Sequence, residues 1–231
     1  MKIDVLYNDK NLIAVRKPIG VPTQPDPSGD GDLMSAAKAH LADIGERGEL
    51  WLVHRLDRVV GGVVIFAKNK KYAALLSAMV SERDMQKEYF AVVEGSASGG
   101  VMQDYLYKDA AKGKAFAVKT ERRGVKFAEL EYEPICEKNT ERGACTLVEV
   151  KLHTGRFHQI RVQFASRGMP LIGDGKYGSR DKGSPTPALY AVRLEFRCGG
   201  KDFSVSALPP IDAYPWSLFA LEIQAFLEEN K

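Results

Sequence analysis

Short apolar runs of strand length, bounded by turn-forming residues, recur along the whole 231-residue chain. Helix-length periodic segments interrupt them without regular strand–helix alternation. That arrangement constrains the fold more than any other feature. Without βαβ units the strands must pair largely antiparallel, and the few helices must cover the sheet. The first two runs, 3–7 and 12–15, flank Asn8-Asp9-Lys10-Asn11 and predict a hairpin. Further strands are expected at 50–53, 62–67, 88–94, 101–107, 115–120, 126–135, 145–152, 189–197 and 203–206. Helices are expected at 32–44, with Asp32 as N-cap, at 70–83 through Tyr72, Leu75, Leu76 and Met79, and at 155–167, ended by Gly168 and Pro170. A C-terminal amphipathic helix is expected at 216–227. The fold class is α+β, with a mixed, mostly antiparallel central sheet flanked by helices. No repeat or low-complexity linker divides the chain, so one domain over 1–231 is the simplest organisation.

Several function classes drop out. No apolar run approaches the roughly 18 residues of a membrane span, and the N-terminus lacks the apolar stretch and cleavage site of a signal peptide. A cytoplasmic monomer is expected, with no membrane partner. Cys136, Cys145 and Cys198 are odd in number and contain no C-x-x-C pair, which predicts ordinary reduced thiols. His153 and His158 are five apart and share no helical face, and no metal site is expected. Gly61-Gly62 and Gly173-Asp174-Gly175 complete neither a G-x-G-x-x-G nor a P-loop, so no cofactor is expected. A net charge of +3 is too small to name a partner.

Three residues stand out chemically. On the 155–167 helix, Arg161 shares a face with Phe157, Ile160 and Phe164. Its guanidinium either snorkels to the edge of the apolar stripe or pairs with a carboxylate in a cleft, for which Asp57 is the candidate. Asp57 lies between apolar runs with Arg55 and Arg58 beside it, so its carboxylate is expected to stay ionised, as a nucleophile or charge stabiliser. The plainer reading is a surface turn with an ion pair. Tyr89, in Lys87-Glu88-Tyr89-Phe90-Ala91-Val92-Val93, is either core with its hydroxyl at the edge or a ring available for stacking and proton transfer.

Together these segments resemble the RluA-type pseudouridine synthases. The matching blocks are Arg16-Lys17-Pro18-Ile19-Gly20, His54-Arg55-Leu56-Asp57-Arg58, 62–68, and Lys87-Glu88-Tyr89 through Gly95. They continue with Thr154-Gly155-Arg156-Phe157-His158-Gln159-Ile160-Arg161-Val162, then 170–174 with Tyr177-Gly178. The blocks keep the family's order and span most of the chain. The resemblance implies a pseudouridine synthase-like fold and isomerisation of uridine in structured RNA, ribosomal or transfer, without a cofactor. It implies that Asp57 is the catalytic aspartate, Tyr89 the tyrosine that contacts the base, and Arg161 the basic partner of the aspartate. Arg55 matches an arginine that helps extrude the target nucleotide. His54, Arg58, Arg156, His158 and Gln159, in the same blocks, are expected to bind substrate. Arg156, Arg161, Arg167, Lys176 and Arg180 are either solvated charges or a stripe that follows an RNA backbone.

Two departures bear on specificity. Val60-Gly61-Gly62 stands where the family has Thr-Ser-Gly, and Phe157 replaces a small polar residue. Some relatives carry a small N-terminal RNA-binding domain; with the Lys17-Pro18 block so near the start, none is expected here. Two alternatives stay open. One is a catalytically inactive RNA-binding or ribosome-assembly protein on the same fold. The other is a hydrolase that joins Asp57 to a second acid, Asp174 or Glu88.

Overall fold

Turn chemistry starts the fold. Asp9 Oδ1 accepts the N–H groups of Asn11 (2.7 Å) and Leu12 (2.8 Å), which reverses the chain between β1 (Asp4–Asn8) and β2 (Leu12–Lys17), an antiparallel pair. A computed structural model of the chain describes residues 1–46 and 48–229, which fall into two compact units.

The first unit comprises 1–87 and 191–207. Its helices are α1 (Leu33–Asp43) and α2 (Lys70–Glu82). Asp32 caps α1 by accepting the Ser35 N–H (2.9 Å), and Asn69 caps α2 by accepting that of Tyr72 (2.9 Å). β2 pairs antiparallel with β4 (Gly61–Ala67). The two-residue β3 (Trp51–Leu52) also pairs with β4, so the strand expected at 50–53 is shorter than its apolar pattern suggested. Every residue of β4 is buried, which explains its unbroken apolar run. β4 also borders β10 (Leu189–Cys198), which pairs antiparallel with β11 (Lys201–Ser206). Where β4 meets β10, Gly62 has φ +124°, and a Cβ there would lie 2.2 Å from the Ala191 carbonyl oxygen. Only glycine fits.

The second unit comprises 88–190 and 208–231. Its strands are β5 (Gln86–Glu94, from Glu88 onward), β6 (Gly100–Asp109), β7 (Lys114–Val118), β8 (Val125–Thr140) and β9 (Gly143–Leu152). The pairings β5–β9, β9–β8, β8–β6 and β6–β7 are all antiparallel. β8 runs past the expected end at 135, because an irregularity between Pro134 and Cys136 takes up the proline and lets pairing resume to Thr140. Val162 of α3 (Gln159–Ser166) packs with Leu106, Ala115, Ala128 and Tyr177. A 3-10 turn (Trp216–Phe219) leads into α4 (Ala220–Glu229), where the expected C-terminal helix begins. Trp216, Phe219 and Ile223 are buried, and Phe226 meets Phe90 edge-on at 5.0 Å.

The molecule is thus α+β with mostly antiparallel strands. Among the described residues no helix is long and apolar enough to cross a membrane, and no cluster of acidic, histidine and cysteine side chains could hold a metal ion.

Candidate functional site

In the first unit Asp57 sits, half-buried, on the loop 53–60 between β3 and β4. Its carbonyl accepts the Val60 N–H (3.0 Å), which closes a turn. The segment after β2 clamps this loop. Lys17 is fully buried, and its ammonium donates to the carbonyls of Pro18 (3.0 Å), Val21 (2.5 Å) and Arg58 (3.0 Å). The Gly20 N–H donates to the same Arg58 carbonyl (2.8 Å). Thr23 Oγ1 donates to the Leu56 carbonyl (3.0 Å) and accepts the Leu56 N–H (3.2 Å). The backbone is therefore fastened on both sides of Asp57. Burial brings the Lys17 pKa down to about 7; the charge of Asp57 opposes that shift and Arg58 adds to it.

The other residues of this block have distinct places. Arg55 is exposed and, with Thr23, Gln24 and Leu56, lines a cavity of about 270 Å³. Arg58 donates to Asp30 (2.7 Å), Ser28 (2.6 Å) and Asp26 (3.3 Å), so its guanidinium braces the 26–30 loop. His54 Nε2 accepts the Ile65 N–H (3.1 Å). Burial, then the nearby Lys87 charge, push the His54 pKa down to about 3, so the ring is neutral and stays an acceptor. Both side chains, expected at the substrate, make bonds within the protein.

In the second unit Tyr89 lies on β5 opposite Val150 and is 7% exposed. Arg161 does not snorkel: it is 4% exposed. Its Nε and Nη2 donate to Asp174 Oδ2 (2.6 Å) and Oδ1 (2.8 Å), a bidentate pair with a fully buried carboxylate. The guanidinium also lies 5.1 Å from the centre of the Tyr177 ring. The Asp174 carbonyl accepts the N–H groups of Tyr177 (3.0 Å) and Ser179 (3.1 Å), and the Tyr177 hydroxyl accepts the Ala115 N–H (2.8 Å) and meets His158 Nδ1 (2.9 Å). Sequence reasoning weighed Asp174 only as a hydrolytic acid and gave Tyr177 no role. The signal was their place in one block, at 170–178. A fully buried carboxylate held by both oxygens is unsuited to activating water as the second acid of a hydrolase.

The helix expected from 155 begins four residues later because side chains shape the preceding turn. Gln159 Oε1 accepts from Thr154 Oγ1 (2.8 Å) and the Arg156 N–H (3.0 Å), while its Nε2 donates to the Glu129 carbonyl (3.0 Å). His158 closes the turn at φ +53°. Its pKa is lowered to about 3, first by burial and then by Arg161, Lys176 and Lys108. Arg156 Nε donates to the Phe127 carbonyl (2.8 Å). Gln159, His158 and Arg156, expected at the substrate, thus all make bonds that hold the turn. Nor do the basic residues of this region form an uncommitted stripe: Arg167 pairs with Asp104 (2.8 Å) and Lys176 donates to the Gly113 carbonyl (3.0 Å).

The family model described as RNA pseudouridylate synthase matches residues 11–166, which include Lys17, Asp57, Tyr89 and Arg161. An uncharacterized RNA pseudouridine synthase of Aquifex aeolicus is 35% identical over 193 residues, covering 81% of this chain and 60% of the relative. One of Haemophilus influenzae is 31% identical over 210 residues, covering 90% and 88%. The ribosomal large subunit pseudouridine synthase D of Zymomonas mobilis is 31% identical over 227 residues, covering 91% and 70%. The matched part spans 60% and 64% of the Aquifex aeolicus and Bacillus subtilis relatives. In fold, the human RNA pseudouridylate synthase domain containing 4 superposes with a TM-score of 0.76 at 22% identity, covering 96% of this chain and 93% of that one. On this footing the chain belongs to the RNA pseudouridylate synthase family.

Proposed function

We propose that the chain is an RNA pseudouridine synthase that isomerises a uridine in structured RNA, ribosomal or transfer, with Asp57 as its catalytic aspartate. One observation carries the reading: the family match runs through a loop whose backbone is fastened on both sides of Asp57 by Lys17, Gly20 and Thr23. That is the preorganisation a reacting carboxylate needs. Ribosomal RNA is the favoured substrate, since relatives matched over 84% and 91% of this chain carry the name ribosomal large subunit pseudouridine synthase D.

The reaction breaks the bond from ribose C1′ to uracil N1, turns the base, and joins C1′ to C5. The proton leaves C5 and N1 gains one, so atoms and electrons balance without a redox step. The uridine leaves its stack at a cost of about a few kcal/mol, and exposed Arg55 fills the space it vacates. Asp57 then acts on the sugar or the base ring, as nucleophile or charge stabiliser. Arg161, oriented by both oxygens of Asp174, is the basic residue of the reaction. Tyr89 stacks on the uracil and assists removal of the C5 proton. The inactive alternative leans on Val60-Gly61-Gly62. Yet Val60 and Gly61, the two residues that depart, are both buried, so the departure is absorbed by packing.

Asp57→Asn should abolish conversion while the fold and RNA affinity persist. Pseudouridine-specific chemical labelling of RNA from a deletion strain, incubated with each protein, reads this. Full activity in the variant rejects the assignment.

A further inference from the structure

The loop 179–183 is folded around two carboxylates. Glu94 Oε1 accepts from Ser179 Oγ (2.7 Å), the Arg180 N–H (2.8 Å) and the Asp181 N–H (3.1 Å). Asp181 Oδ1 accepts from the Gly183 N–H (2.6 Å) and Arg142 Nη1 (3.2 Å), and Oδ2 accepts from the Tyr214 hydroxyl. The Asp181 side chain is 7% exposed, whereas its neighbours Arg180 and Lys182 are both exposed. Among the described residues neither of those two cations has an ion pair. Both line a cleft of about 580 Å³ beside the turn of the β8–β9 hairpin, where the Arg142 guanidinium lies 5.4 Å from the Tyr214 ring centre. The loop is seated tightly: a Cβ on Gly183 would meet Arg142 Nη1 and Tyr214 Cε1, both at 2.8 Å.

The acids of this cleft are engaged by donors of the protein, and its lining carries three cations against two carboxylates, with Arg180 and Lys182 the exposed cations that make no ion pair among the described residues. A polyanion satisfies them where a neutral ligand does not. We propose that the cleft is an accessory RNA-backbone site in which Arg180 and Lys182 each take a phosphate. This rests on the reading of the chain as an RNA enzyme, and it adds a sequence-independent grip outside the matched region 11–166. Arg180 is the one member of the suspected basic stripe that fits a backbone contact.

The test is the double variant Arg180→Gln, Lys182→Gln, with total ribosomal RNA as the probe. Filter binding is measured from 50 to 200 mM salt. Losing two phosphate contacts lowers the salt slope by about 1.4–1.8, so the wild-type advantage grows about tenfold from 200 to 50 mM salt. Unchanged affinity and slope in the variant, with wild-type protein converting the same RNA, overturn the cleft and leave the enzyme reading intact. Wild-type protein that neither binds nor converts the RNA overturns both.

Discussion

Asp174 gives the sharpest stability test. The Asp174–Arg161 side chains are 0% and 5% exposed and share two hydrogen bonds. Asp174→Ala strips the bidentate partner from a guanidinium that cannot be neutralised. Breaking a buried pair from one side costs about 3–5 kcal/mol. In a chain of this length each kcal/mol lowers Tm by about 2–4 °C, which gives a drop of roughly 6–20 °C. Conversion should fall with it, because Arg161 loses the group that orients it. The second arm removes both charges. Asp174→Leu with Arg161→Met should recover much of the lost stability, since apolar replacements of a buried pair are often neutral, yet remain inactive. Thermal unfolding by circular dichroism and pseudouridine labelling read the two quantities. An Asp174→Ala protein melting within 2 °C of wild type, on the scale just given, would refute the reasoning.

Three further predictions follow from the same geometry. His54 and His158 have pKa values near 3 in the fold, against about 6.5 when unfolded. The unfolded state binds more protons between these values, so the stability they contribute is complete above pH 6.5 and lost as pH falls toward 3. In His54→Gln the decline should be shallower by up to about 1.4 kcal/mol per pH unit; denaturant midpoints measured across pH 3–7 that match wild type would contradict this. Lys17→Met leaves the Pro18, Val21 and Arg58 carbonyls without their ammonium, and a shift of ~1 Å in the Asp57 loop would cost conversion about hundredfold; a labelling rate within twofold of wild type would remove Lys17 from the argument. Gly62→Ala sets a Cβ against Ala191 at positive φ and should cost about 2–6 kcal/mol in strain and overpacking, read as a lowered melting temperature, whereas an unchanged one would contradict the packing.

Local chemistry was written in the chain. The Asp9 turn, the Asp32 cap and the buried run of β4 rest on neighbouring residues, so they could be read without a fold. The blocks holding Asp57, Tyr89 and Arg161 were legible too, because residue type and spacing carry them. The destination of each charge was not. Lys17 and Arg58 meet through the Arg58 carbonyl, Thr23 meets Leu56, and Arg161 meets Asp174 across a turn. Nothing in the spacing pointed to Asp174 as an acid on Arg161. Likewise the start of α3 depended on Gln159 reaching Glu129 on β8, and the run of β8 past Pro134 depended on β9 beside it. Long-range pairing decides which polar group is satisfied by which, since burial makes every unsatisfied donor or charge costly and only the assembled fold supplies the partners.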